Sequence, residues 1–130
     1  SEVILHGYIE WGIDRLLEKL DGMYAISIYD KKEDTLYLTR DRVGIKPLYY
    51  WHSDVNGLVF ASEIKQFTTL EGWRAELNGP RAYDFLNWGQ TDHTTETMFK
   101  GVHHVPPAHY CRFSINNIPS KPDFKCWYKI

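Results

Sequence analysis

Cysteine is scarce in this sequence: Cys111 and Cys126 are the two it contains in 130 residues. Two are too few for a disulfide framework, and their spacing matches no zinc motif, which suits a reducing compartment. A glycine-rich phosphate loop is absent, so the sequence offers no nucleotide cradle of the usual kind. No apolar run approaches the roughly 20 residues needed to cross a bilayer, and no basic-then-apolar leader opens the chain. The expectation is therefore a cytoplasmic protein with no membrane partner. With a formal charge of −2, nothing draws the chain toward nucleic acid either. Repeats and low-complexity linkers are also missing. What remains, with 43% hydrophobic and 15% aromatic residues, is one globular domain with a single sizeable core.

Leu5, Tyr8, Ile9, Ile13, Leu16, Leu17 and Leu20 recur at helical spacing, with Ser1 placed to cap the start. Gly12 falls on the same stripe and predicts a break into two short helices, since a mid-helix glycine costs about 1 kcal/mol. After Asp21-Gly22 the period changes to that of strands. MYAISIYD is almost wholly apolar, as in a strand covered on both faces, and TLYLTR alternates. LYYW and LVFAS flank the hairpin signal Asn56-Gly57. These four segments predict an antiparallel meander.

Ser62 would cap a short helix through Phe67, and Asn78-Gly79-Pro80 opens another that ends at Gly89. TDHTTET reads as a polar loop. Val102 to Val105 and Ala108 to Ile115 read as a further strand pair, with CWYKI as the last strand. The class is α+β, mainly antiparallel sheet with short flanking helices.

The chemistry-bearing residues are sparse. Ser1 could act through its own α-amine as an N-terminal nucleophile, but helix capping explains it completely. Cys111 alternates with His109 and Phe113 as a small buried hydrophobe would, and no spacing singles out a cysteine–histidine pair among the six histidines. His103 and His104 are adjacent on a strand, point to opposite faces and cannot chelate one ion together. Tyr49, Tyr50, Trp51 and Trp88 could stack on sugars or bases, though core packing is the more ordinary use. No complete active site emerges from these residues.

Arg40 to Tyr50, RDRVGIKPLYY, is the unusual stretch: three charges beside a segment built to be buried. Pro47 cannot donate to a ladder, so the chain must leave the sheet there before LYYW rejoins it. An arginine fork next to a sheet seeks a planar carboxylate, and Asp41 and Glu63 are the expected partners. Arg40, Asp41, Arg42, Lys46 and Glu63 thus form the expected charge cluster.

Read in order, LDGMYAISIYD, LYLTRDRVGIKPLYYW, LVFASEIKQF and MFKGVHHVPPAHY resemble the glutamine amidotransferase domain of the asparagine synthetase family, the class II or N-terminal-nucleophile type. The likeness runs from Glu2 to about Tyr128. It implies that residues 1–130 are the partner half of an α/β/β/α glutaminase sandwich. It also implies a cysteine nucleophile upstream of Ser1, so that no catalytic residue lies in this chain, and a synthetase domain of the same polypeptide beyond Ile130. Glutamine would be the substrate of the complete domain. ATP and magnesium would serve the synthetase domain, with no cofactor or metal in this chain. The implied reaction is ATP-driven amidation of a carboxylate, aspartate to asparagine in the first instance, with uronic acid sugars as another acceptor class. Carried over position by position, Met23 and Ile45 match residues near the ammonia route, where the alternative reading is ordinary core packing. The charged turn would set the loop facing the synthetase domain. Two departures stand out: Ala108 occupies a position usually held by glycine, which argues against a left-handed backbone unless packing enforces it, and KCWYKI replaces a more acidic ending. Half of a four-layer domain would leave a sheet face uncovered and prone to self-association. A non-catalytic docking module, contacting sugar through Trp51 and Trp88, is the reading from another class.

Overall fold

The computed structural model describes residues 1–119 and 121–129. Its elements are α1 (Glu2–Lys19), β1 (Ala25–Asp30), β2 (Thr35–Arg40), β3 (Tyr49–Ser53), β4 (Gly57–Ala61), a 3-10 turn (Ile64–Thr69), α2 (Gly79–Trp88), β5 (Val102–His104), β6 (His109–Ser114) and β7 (Phe124–Cys126).

α1 forms where the spacing predicts a helix, but its stripe is buried only in the second half, at Ile13, Leu16 and Leu17, while Leu5 and Ile9 are exposed; the break falls at Gly12, whose φ of 71° and ψ of 177° leave helical space. Ser1 stands at the cap position, but its side chain makes no capping bond. Ile13, Leu16 and Leu17 pack on Ile28, Tyr37 and Tyr110, so α1 covers one face of a four-stranded antiparallel sheet ordered β1-β2-β6-β7. A three-stranded antiparallel sheet, β4-β3-β5, lies against the other face. Between the two sheets sit Leu38, Cys111 and Phe113 from the first with Leu48, Tyr50 and Val105 from or beside the second. Burying one such leucine fully contributes about 1.5–3 kcal/mol. On the outer side of β3, Trp51 meets the fully buried Phe67 of the 3-10 turn, and Trp73 bridges both to Phe99. The result is a layered α+β sandwich of antiparallel sheets and short helices, consistent with an N-terminal-nucleophile glutaminase architecture.

Several sequence expectations need correction. The expected meander is two hairpins in two different sheets, because Pro47 and the charged turn carry the chain from β2 across to β3. β1 is an edge strand fully covered on one face only: Ile26 and Ile28 face α1, whereas on the other face Ala25 packs toward the core between the sheets and Ser27 and Tyr29 are exposed. The 102–105 and 108–115 segments do not pair together. β5 joins β3, and β6 joins β2. Glu63, not Ser62, caps the 3-10 turn, through a reciprocal box with Gln66. The last strand ends at Cys126, earlier than CWYKI suggests, and Ile130 lies outside the described residues. Among the described residues, α1 and the three-stranded sheet cover the two faces of the four-stranded sheet. What stays open are strand edges, among them those of β1 and β4. The bounds of α2 agree with expectation, proline opening it and Gly89 closing it.

Ala108 has a φ of 57°, the left-handed backbone that its side chain argues against. The strain persists because neighbouring chain over-determines it: its N–H donates to Asp41 O at 2.9 Å and its carbonyl accepts from Trp127 N at 2.9 Å. Ala108→Gly should accordingly be neutral or stabilising, by up to about 1 kcal/mol, while Ala108→Val should destabilise by about 1–3 kcal/mol. Urea denaturation of both variants checks this, and a destabilised glycine variant would contradict it.

Candidate functional site: a turn pinned by one carboxylate

β2 ends on Arg40, and the next residue, Asp41, is 1% exposed. A buried carboxylate needs partners, and Asp41 finds them in main-chain N–H groups rather than in a cation. Oδ1 accepts from Val43 N at 3.2 Å and Ile45 N at 2.9 Å, and Oδ2 accepts from Lys46 N at 3.0 Å and Tyr24 N at 3.2 Å. Its own main chain extends the pin: Asp41 N donates to Tyr24 O, and Asp41 O accepts from Gly44 N and Ala108 N. Three separated stretches, at 24, 43–46 and 108, thus meet on one residue. Burial alone would raise this carboxyl's pKa. The four backbone donations from Lys46, Ile45, Tyr24 and Val43 together outweigh burial and hold it below its ordinary value of 3.8.

Arg40 completes the turn from the other side. Its Nε donates to Lys46 O at 2.8 Å, one terminal nitrogen to Val105 O at 3.0 Å and the other to Gly44 O at 2.6 Å. The fork therefore engages three carbonyls, and the expected carboxylate partner, Glu63, is elsewhere: it pairs with Lys65 and caps the 3-10 turn. Gly44 is required by this geometry. Its φ is 70°, and a Cβ there would lie 2.8 Å from the Pro107 ring and 3.0 Å from the Arg40 guanidinium carbon. Lys46 contributes its backbone, while its side chain is exposed and makes no ion pair among the described residues.

Arg42 points the opposite way, toward the end of α1. It reaches Glu18 O at 3.3 Å, Leu20 O at 3.4 Å and the exposed Asp21 carboxylate at 3.7 Å, and lies 4.8 Å from the Tyr128 ring centroid. The expected cluster is therefore split: Arg40, Asp41 and the Lys46 backbone form one unit, Arg42 a second, and Glu63 belongs to neither.

The pin presents an apolar face. Met23, Val43 and Ile45 are 63%, 59% and 54% exposed, each on or next to a residue whose N–H is held by Asp41. Met23 and Ile45 are thus surface side chains of this chain and belong to neither of its core clusters. Sequence reasoning missed Tyr24 and Trp127, which stack with ring centroids 6.4 Å apart behind this face. Their aromatic character was visible, their partnership was not.

Elsewhere the other candidates are separate and quiet. Cys111 is buried, which pushes its thiol up to about 12, and neither free cysteine hydrogen-bonds a histidine among the described residues. His103 stacks on Tyr50, while His104 Nε2 is hydrogen-bonded to Thr94 O, so the two rings part as strand geometry requires. Trp51 is tucked against Phe67 and Trp73, whereas Trp88 is exposed on α2 with Tyr83 and Leu86, so the two do not form a joint platform. Among the described residues no group of three or more histidine, cysteine or acidic side chains is placed to hold a metal ion, and no helix is long and apolar enough to cross a membrane.

Residues 1–124 match the family described as glutamine amidotransferase domain. Asparagine synthetase (glutamine-hydrolyzing) 3 of Bacillus subtilis strain 168 is 32% identical over 114 residues, 88% of this chain and 18% of that protein. Asparagine synthetase (glutamine-hydrolyzing) 2 of the same organism is 33% identical over 119 residues, 88% of this chain and 16% of that protein. The chain thus spans less than a fifth of the length of these curated relatives.

The pin has a measurable acid signature. Because the folded pKa of Asp41 is depressed, its contribution is complete above 3.8 and is lost as pH falls from there toward the folded value. Asp41→Asn should cost at least about 3 kcal/mol at neutral pH, by removing a buried charge that serves several donors, and should flatten this acid limb. Denaturation of both proteins between neutral and acidic pH reads the difference. A loss below about 1 kcal/mol, the scale of a surface pair, with an unchanged acid limb would contradict it.

Proposed function

Since this chain belongs to the glutamine amidotransferase domain family, we propose that it forms part of the glutaminase domain of an asparagine synthetase-like enzyme. In this reading the complete domain releases ammonia from the side-chain amide of glutamine, and a synthetase domain of the same polypeptide uses it for ATP-dependent amidation of a carboxylate, aspartate giving asparagine. The bond-breaking nucleophile is supplied by polypeptide outside residues 1–130. Supporting this division of labour, Cys111 is buried with a raised pKa and hydrogen-bonds no histidine among the described residues, while Ser1 sits at the start of α1. ATP and magnesium are assigned to the synthetase domain in this reading.

The observation that carries the proposal is the exposed apolar face held by Asp41. Apolar side chains that stand more than half exposed on a rigidly pinned turn are what an inter-domain contact requires. Met23 and Ile45 are proposed to line the ammonia route at that contact, where an apolar wall excludes water and keeps ammonia neutral. Arg40 acts as a positioning residue, holding the carbonyls of Gly44, Lys46 and Val105 so that the turn keeps its shape. A uronic acid sugar as acceptor would leave this face unchanged, since acceptor recognition lies in the synthetase domain. The free edges of β1 and β4 are the proposed seams for the remainder of the glutaminase sandwich, and in the isolated chain they are where copies would associate.

The test is coupling. In the complete enzyme, Met23→Asp and Ile45→Asp should raise the glutamate formed per amide product, while synthesis from added ammonium salt continues. Glutamate and product still formed in equal amounts in both variants would reject the ammonia-route assignment. The isolated 130-residue chain, given L-glutamine, should yield no glutamate, and sustained turnover would reject the division of labour.

A further inference from the structure

Among the described residues, four buried side-chain polar atoms lack a hydrogen-bond partner: Tyr24 Oη, Arg42 Nε, Arg81 Nε and Trp127 Nε1. Three of the four belong to one contiguous group. Tyr24 stacks on Trp127 with ring planes 17° apart, Trp127 packs against Tyr128, and Arg42 lies over the Tyr128 ring. Arg81 Nε is elsewhere, on α2, facing Glu96 at 3.5 Å. Native proteins leave few buried polar groups unpaired, and each costs about 1–3 kcal/mol, so three in one place call for an explanation.

Neighbouring arginines make the contrast plain. All three Arg40 contacts fall between 2.6 and 3.0 Å. Arg42, two residues later, has nothing closer than 3.3 Å: two long contacts to carbonyls at the end of α1, and Asp21 at 3.7 Å on a side chain that is almost fully exposed. An ion pair of that kind is worth little. The guanidinium is therefore positioned, partly covered and under-bonded. The unpartnered atoms beside it can all donate: a guanidinium N–H, an indole N–H and a phenol. Burial pushes the Tyr24 phenol up to about 12, with the nearby Arg42 charge opposing and Asp41 adding to the rise, so it keeps its proton. A positive charge with surrounding donors and no matched acceptor suits an oxyanion, and the planar fork suits a carboxylate best. Met23 and Val43, the chain neighbours of Tyr24 and Arg42, are themselves apolar and exposed.

We propose that Arg42, with Tyr24 and Trp127 beside it, is a carboxylate receptor that takes an acidic side chain flanked by apolar residues from an adjoining protein segment, displacing the loose Asp21 contact. The B. subtilis relatives carry more than four-fifths of their length outside the stretch matched here, which is where such a segment lies in this reading. The proposal rests on the docking role given to the Asp41 face, and it specifies the chemistry of the group that docks.

The experiment uses the 130-residue chain, with 15N NMR of the Arg42 Nε–H and Trp127 Nε1–H signals. Two blocked peptides are titrated at constant ionic strength, acetyl-Leu-Asp-Leu-amide and its isosteric control acetyl-Leu-Asn-Leu-amide. The aspartate peptide should shift both signals saturably, and the asparagine peptide should bind about tenfold more weakly, the loss expected for a charge-assisted bond. Asp21→Asn, at an exposed position that leaves folding intact, should tighten the aspartate peptide by about threefold, since a surface competitor has gone. Arg42→Gln should abolish binding. If that variant does not fold, Trp127→Phe should still weaken binding of the aspartate peptide. Equal response to the two peptides, no saturable shift, or an Asp21→Asn chain that binds no better would each overturn the proposal. Uncoupling by Met23→Asp with failed peptide binding would sink the receptor and spare the docking face. The reverse pattern would sink the face alone.

Discussion

One buried carboxylate organises the turns that meet at the end of β2. Asp41 stands where β2 runs out, and every stretch that must turn near it donates an N–H to it or exchanges a main-chain bond with it. A cation in the same place would have been a point contact, whereas a carboxylate has enough lone-pair directions to hold several donors. Arg40 grips the carbonyls of the turn whose N–H groups Asp41 holds, so the Arg40-Asp41 pair satisfies both sides of one stretch of backbone. Rigid turns of this kind are able to carry exposed apolar side chains without collapsing them into the core, and that is how Met23, Val43 and Ile45 stay outside.

The two sheets and α1 supply the platform. The core between sheets and the core beneath α1 share β2 and β6 as a common wall, Leu38 and Cys111 facing one way and Tyr37 and Tyr110 the other. Asp41 leaves that wall at its end, so a disturbance of the pin is expected to act on the exposed Met23, Val43 and Ile45 before it reaches either core. Arg42 lies at the outer limit of the same arrangement, connecting the end of α1 to the Trp127-Tyr128 segment.

Much of this was legible in the residues, for reasons that differ by element. Gly12, Pro80 and Gly89 act through local backbone chemistry, and the helix break and the bounds of α2 came out where those residues put them. Strand alternation indicates faces and not partners, which is why β5 and β6 looked like a pair although Pro106-Pro107 sends them to different sheets. The Arg40 fork misled for a similar reason: its acceptors are carbonyls at Gly44, Lys46 and Val105, which every sequence possesses, and no residue type advertises them. Ala108 shows a local preference overruled by two non-local hydrogen bonds. The charge stretch stands out in the sequence, yet its contacts are with backbone groups that only the fold assembles.

The most direct test of the central claim is native-state hydrogen exchange of the amides of Tyr24, Val43, Ile45 and Lys46 in the unmodified chain. If one carboxylate holds them all, these amides should be protected and should open together, with one shared free energy, although Val43, Ile45 and Lys46 lie in an exposed turn. Exchange of the turn amides at the rates of an unstructured peptide, or four unrelated opening energies, would contradict the account.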